Sequence, residues 1–135
     1  METLTIGKLA ERGRVNLETI RYYEREGLMP PPPRKPSGHR AYSPIAVRRL
    51  RFIKRSQELG FSLSEIRELL ALRADPDQVC TDMIRQIETK TQEVELKIAH
   101  LKAIRRVLLR LKDSCSGQCH MSDCPILESL DTEAQ

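Results

Sequence analysis

Four cysteines, Cys80, Cys115, Cys119 and Cys124, carry the most distinctive chemistry in the chain. A thiol can act as a nucleophile, join a disulfide, or, once deprotonated, bind a soft ion. No histidine–carboxylate or nucleophile–base pairing accompanies these four, so an enzyme is not expected. Three thiolates make a soft, negative donor set suited to Hg(II), Pb(II) or Cd(II), and to Zn(II) when a fourth ligand joins. The plainer reading of Cys80 is a small hydrophobe packed against a helix. Cys115 and Cys124 lie in the polar stretch 114–124, where packing explains little. Cys119 and His120 are possible additional ligands, though His120 and Met121 also read as ordinary exposed loop residues. His100 reads as solvated.

Cys80 and Cys115 lie 35 residues apart. If one helix joins them, their separation is about 50 Å at 1.5 Å per residue, too far to share an ion within one chain. The elements that position them therefore matter. From Val79 to Lys112 there is no proline or glycine, so one long helix is expected. Ile84, Ile87, Val94, Ile98 and Leu101 follow alternating three- and four-residue steps, with Thr91 on the same seam. After Leu101 the seam shifts to Ile104, Leu108 and Leu111. Such a stripe needs a partner, and a second copy of the chain is the expected one. Pro125 to Leu130 allows one last helical turn.

Ahead of this helix the chain reads as several short helices. A first runs from Thr5 to Gly13, with Gly13-Arg14-Val15 as the turn. Asn16 caps a second that ends near Arg25 and Gly27. This is helix-turn-helix spacing. Pro30 to Pro33, Pro36 and Ser37-Gly38 exclude a helix, and Arg40-Ala41-Tyr42 fits a short strand, so a small hairpin or wing is expected there. Ser43 and Pro44 open a helix to about Leu59, and Ser62 to Glu65 has capping-box spacing for another to about Leu72.

Charge divides the chain. Residues 1–76 hold 15 Lys and Arg against 9 Asp and Glu, net +6, and residues 77–135 hold 8 against 10, net −2. A basic front half fits a nucleic-acid-binding head. On the second helix Glu18, Thr19, Arg21 and Tyr22 can face outward, with Arg21 suited to a guanine edge or a phosphate and Tyr22 to a phosphate. The alternative is that both tyrosines are core and Arg21 is merely solvated. The run Arg48 to Arg55 places five cations in eight residues, a density expected to repel itself unless it faces an anion. No segment approaches the roughly 20 apolar residues that span a bilayer. The N-terminus lacks the apolar core of a secretion signal, so a cytoplasmic location with reduced thiols is expected.

Thr5-Ile6-Gly7-Lys8-Leu9-Ala10, Thr19-Ile20-Arg21-Tyr22-Tyr23-Glu24, Gly27-Leu28, Arg40, Tyr42 and Gln57-Glu58-Leu59-Gly60-Phe61-Ser62-Leu63 together closely resemble the MerR family of bacterial regulators. The resemblance covers nearly the whole chain and is most specific in residues 4–72. It implies a mainly all-α fold: a winged helix-turn-helix head (1–76), an antiparallel coiled-coil dimerisation helix (77–112) and a metal-binding loop and tail (113–135). It also implies that Thr19, Arg21, Tyr22, Arg40, Tyr42 and Lys54 meet operator DNA. The homodimer would then repress or activate by bending and untwisting promoter DNA for bacterial RNA polymerase.

Antiparallel pairing would set Cys80 of one chain beside Cys115 and Cys124 of the other, giving two equivalent sites. Cys80, Cys115, Cys124 and the phrase Cys124-Pro125-Ile126-Leu127 are similar to the pattern of the family's mercuric-ion sensors, which makes Hg(II) the expected effector. Lead sensors share a similar spacing, and zinc sensors carry extra loop ligands, a point on which Cys119 and His120 bear. Other readings are Pb(II), Zn(II) or Cd(II) sensing, a DNA-binding oxidation sensor closing a disulfide between loop cysteines, and a metal-storage or metal-delivery protein.

Overall fold

The computed structural model describes residues 3–32 and 41–132. Among these the structure is almost wholly helical, as expected. Helix α1 (Ile6–Gly13) is capped by Thr5, whose hydroxyl accepts from the Lys8 N–H, and α2 (Leu17–Arg25) is capped by Asn16, which accepts from the Thr19 N–H at 2.8 Å. The turn between them differs in detail from the expected glycine turn. Gly13 is still helical, and Arg14 takes the left-handed conformation, at φ 58°. The glycine serves close packing instead: a Cβ on Gly13 would stand 2.2 Å from Cδ2 of Leu50. Only a residue without a side chain lets α1 approach α3 here.

Helix α3 (Pro44–Glu58) crosses α1 and packs on α4 (Leu63–Ala74). Ser62 and Glu65 form the expected capping box, with bonds of 3.1 and 2.8 Å. Ser43 sits at the N-cap of α3, but its side chain makes no capping hydrogen bond. The fully buried core joins Leu9, Ile20, Leu28, Met29, Leu50, Ile53 and Ile66 from all four helices and the α2–α3 connection. Of the expected wing, Arg40 and the Ser37-Gly38 turn lie outside the described residues. The described end of that region pairs elsewhere: Tyr42 forms an antiparallel bridge with Leu4 at 2.7 and 2.8 Å.

Helix α5 (Cys80–Asp113) runs 34 residues without a break. It is followed by a 3-10 turn at Met121–Asp123 and by α6 (Pro125–Asp131). The chain divides into two compact units, Met1–Ile87 and Glu88–Gln135. The first turns of α5 belong with the first unit, where Met83 packs against its core. Along α5 the seam residues Ile84, Ile87, Val94, Ile98, Leu101, Ile104 and Leu108 are all exposed. No described helix is long and apolar enough to cross a membrane.

Candidate functional site

The loop after α5 gathers three of the four thiols. The α5 helix ends through bonds from the Ser114 N–H to the Arg110 and Leu111 carbonyls, and Gly117 then reverses the chain at φ 86°. The 3-10 turn closes through the Asp123 N–H to His120 O and the Cys124 N–H to Met121 O, and Cys124 stands at the start of α6. This path brings the sulfurs of Cys115, Cys119 and Cys124 within 4.8 Å of one another. Ligands at the 2.3 Å Zn–S distance stand roughly 3.8–4.0 Å apart around one ion, so the trio is of the right size for a thiolate-bound metal.

Cys115 and Cys119 are the closest pair, at 3.2 Å, and the Gly117 N–H approaches the Cys115 sulfur at 3.4 Å. These contacts separate the two thiols. The Gly117 N–H, and then the Cys119 thiol, stabilise the Cys115 thiolate and lower its pKa, while Cys119 is raised chiefly because it donates to Cys115. Of these two, Cys115 is the one whose thiolate is favoured. Leu108, Leu111, Met121, Ile126 and Leu130 join the cysteines in lining an open groove of about 780 Å³.

The sequence expectation named Cys80, Cys115 and Cys124, with Cys119 and His120 as possible additions. The structure brings Cys119 together with Cys115 and Cys124 and leaves His120 outside the sulfur cluster. Cys80 is the exposed first residue of α5, in the other compact unit. The signal for Cys119 was legible in its four- and five-residue spacing from its neighbours, but the path of the loop that joins them was not.

In the first unit, α2 presents the second set of candidate residues. Tyr22 is 39% exposed and Tyr23 only 3%, so the two adjacent tyrosines divide between surface and core. Tyr23 donates to Oε1 of Gln57 at 2.5 Å. Burial, with Tyr22 and Glu58 nearby, raises its pKa and keeps it the protonated donor. Arg21 is exposed and pairs with Glu18 at 3.1 Å, an ion pair weak enough to be exchanged for a phosphate. Thr19 is half-buried, its hydroxyl donating to Asn16 at 2.8 Å.

Two expectations are corrected. Tyr42 is 2% exposed, its hydroxyl donates to Glu24 at 3.1 Å, and it packs in the core instead of on an outer face. The basic run of α3 is also largely accounted for inside the head. Arg49 donates to the Leu28 carbonyl at 2.6 Å, Arg51 to Arg12 at 3.0 Å and Lys54 to Arg14 at 2.7 Å. The Arg12 and Arg14 carbonyls lie at the C-terminus of α1 and already carry partial negative charge, so part of the cation density is met within the head. Arg55 pairs with Glu58, and Arg48 stays exposed.

With this geometry in place, comparison with known proteins is specific. Residues 4–72 match the family model described as MerR HTH family regulatory protein, and residues 47–111 match the model described as MerR, DNA binding. The mercuric resistance operon regulatory protein of Bacillus cereus is 47% identical over 125 residues, covering 93% of this chain and 95% of that protein. The crystal structure of the transcription regulator PbrR691 from Ralstonia metallidurans CH34, in complex with lead(II), superposes with a TM-score of 0.85 at 35% identity. It covers 94% of this chain and 98% of that one. The structure of MerR from Bacillus megaterium MB1 in complex with mercury(II) gives 0.75 at 42% identity, covering 96% and 100%.

Proposed function

The chain belongs to the MerR family of helix-turn-helix regulators, and on that premise we propose that it is an Hg(II)-responsive regulator of metal-resistance genes. It acts as a homodimer on promoter DNA in the reducing cytoplasm. Thr19, Arg21 and Tyr22 contact the duplex together with Arg40, and Lys54 joins them by exchanging its bond to the Arg14 carbonyl for a phosphate, while Tyr42 holds Glu24 and the bridge to Leu4 behind them. The observation that carries the reading is the all-sulfur donor set of the loop, joined to a basic head. Soft thiolates favour soft ions, and Hg(II) is the softest of the candidates. Similarity to a regulatory protein of a mercuric resistance operon supports the same choice.

In this reading the exposed α5 seams pair antiparallel, bringing Cys80 of the partner subunit to Cys115 and Cys124. Ion binding there changes how far apart and at what twist the two heads hold the promoter. Deforming DNA costs sequence-dependent energy, which two heads at fixed spacing can supply, bringing the promoter elements into register for RNA polymerase.

Pb(II) is the second reading, supported by the lead(II)-bound neighbour. Zn(II) and Cd(II) gain from Cys119, which would make four thiolates with Cys80 of the partner subunit. A promoter-reporter dose response across Hg(II), Pb(II), Cd(II), Zn(II) and Cu(I) tests the choice. The expected result is half-maximal induction at the lowest concentration with Hg(II). Induction by another ion at a lower concentration overturns the Hg(II) assignment, and no induction by any of them overturns metal sensing.

A further inference from the structure

We propose that Glu95 of each chain pairs with Lys102 of the partner subunit, and that these two interchain salt bridges fix the register of the α5 pair and its choice of partner. The inference rests on the antiparallel homodimer proposed above and names the residues that select it. Charge is divided sharply along α5. Residues 80–96 hold Asp82, Glu88, Glu93 and Glu95 against Arg85 and Lys90, net −2. Residues 97–112 hold six Lys and Arg and no acid, net +6. A parallel pair would stack the +6 half on its own copy. An antiparallel pair lays it against the −2 half at both ends. Packed helices stand about 8–10 Å apart, comparable to the Debye length at physiological salt, so the difference is felt.

Within this division two side chains lack a partner in their own chain. Asp82 pairs with Arg85 at 3.4 Å and Lys90 with Glu93 at 2.7 Å. Glu95 is exposed and has no cation three or four residues away in either direction. Lys102 is exposed as well, with Arg105 and Arg106 on the next turn and no acid at that spacing. Among the described residues neither makes an ion pair. Their positions suit a bond across the seam. Glu95 follows the seam residue Val94, and Lys102 follows Leu101 seven residues later, so both occupy the same flank of the apolar stripe. The two-fold axis of an antiparallel pair sets each flank against its own copy, so Glu95 meets Lys102 of the partner subunit twice. That pairing centres the dimer between Ile98 and Ala99. Setting Cys80 beside Cys115 of the partner subunit centres it between Lys97 and Ile98, one residue or about 1.5 Å away. Charge and thiols, two unrelated features, specify the same alignment. Charges flanking a seam govern orientation and partner choice, and here they favour a second copy of this chain.

The test uses full-length chains with two distinguishable tags, with dimer dissociation followed at low salt and without metal. Glu95→Lys alone and Lys102→Glu alone each place like charges together at both contacts. Each homodimer should therefore have a dissociation constant roughly tenfold above that of the wild type. Mixed together, the two variants restore opposite charges at both contacts and should form a heterodimer of near wild-type affinity, which excludes misfolding as the cause of the loss. A chain carrying both changes should pair normally with itself and roughly tenfold less readily with the wild type. High salt should shrink all of these differences. Single variants that keep wild-type affinity, or a mixture no tighter than its components, overturn the Glu95–Lys102 pair while the dimer stands. A wild-type chain that is monomeric at micromolar concentration overturns the homodimer reading, and the pair with it.

Discussion

The two units of the chain bury their apolar side chains to opposite extents. Every buried apolar side chain among the described residues lies between Leu4 and Leu70, where four short helices complete one another. The unit Glu88–Gln135 carries leucines and isoleucines at a similar density, 10 in its stretch against 17 in the longer first unit, yet Val94, Leu96, Ile98, Leu101, Ile104, Val107, Leu108 and Leu109 are all exposed. The first unit meets the hydrophobic requirement within itself. The second has a structure whose stability must come from surface supplied by another molecule. Folding and assembly are thus assigned to different stretches of one sequence. Three of the four thiols, Cys115, Cys119 and Cys124, sit in the stretch that depends on assembly.

This contrast is most directly broken at the seam. Ile98→Asp places a carboxylate where an apolar partner is expected, at 46% exposure in the single chain. In a symmetric pair the change enters twice, and desolvating unpaired charges should weaken association by at least ~3 kcal/mol, a hundredfold or more in dissociation constant. Sedimentation should show monomer at micromolar concentration, with the head still folded. A wild-type chain that is itself a folded monomer there, or an Ile98→Asp dimer of unchanged affinity, would end the claim that α5 is the assembly surface.

The head should fail differently. Leu50→Ala removes a fully buried side chain from the crossing of α1 and α3 and should cost about 3 kcal/mol, independent of protein concentration. Gly13→Ala should cost about 2 kcal/mol because the new methyl meets Leu50. Combined, the two should cost clearly less than their sum, since the smaller side chain at 50 makes room for the methyl. Denaturant midpoints of the four proteins decide this. Strict additivity would mean that the close approach at Gly13 does not limit packing.

A smaller effect belongs to the surface of α2. Arg21→Ala should weaken operator binding by about 1–2 kcal/mol and make affinity less steeply dependent on salt, with ion stoichiometry unchanged. Tyr42→Phe deletes only the hydroxyl that donates to Glu24, so it should cost about 1 kcal/mol in stability with no change in salt slope. If the salt slope responds to Tyr42→Phe and not to Arg21→Ala, the roles assigned from burial are reversed.

Local rules made much of the fold legible in the sequence. Helix limits followed from Asn16, the capping box at Ser62, and the unbroken stretch that became α5. What stayed hidden depends on contacts between elements. The basic run of α3 looked like an anion-binding face because nothing local shows that Arg49, Arg51 and Lys54 reach carbonyls at Leu28, Arg12 and Arg14. Tyr42 looked like an outward-facing residue because its bridge partner, Leu4, is 38 positions away. In the loop, Cys115 and Cys124 were legible as candidate ligands by residue type. The place of Cys119 beside them depends on the reversal at Gly117.

The smallest predicted effect separates a motif from the bond it is meant to form. Ser43 and Ser62 both precede helices and both take extended backbone conformations, yet only Ser62 accepts from the N–H three residues on, with Glu65 returning the bond. An N-cap stabilises by satisfying an otherwise unpaired helix donor, so Ser62→Ala should cost about 1 kcal/mol. Ser43→Ala removes no such bond and should change stability by roughly 0.3 kcal/mol or less, since Pro44 already removes one unpaired donor from the first turn of α3. Both effects should be the same at high and low protein concentration, because both helices belong to the unit that completes its own core. Denaturation curves at two concentrations check this, with Ile98→Asp as the concentration-dependent contrast. Equal losses at the two serines would mean that Ser43 caps α3 in solution. A Ser62→Ala loss that grew on dilution would mean that the head leans on the dimer after all.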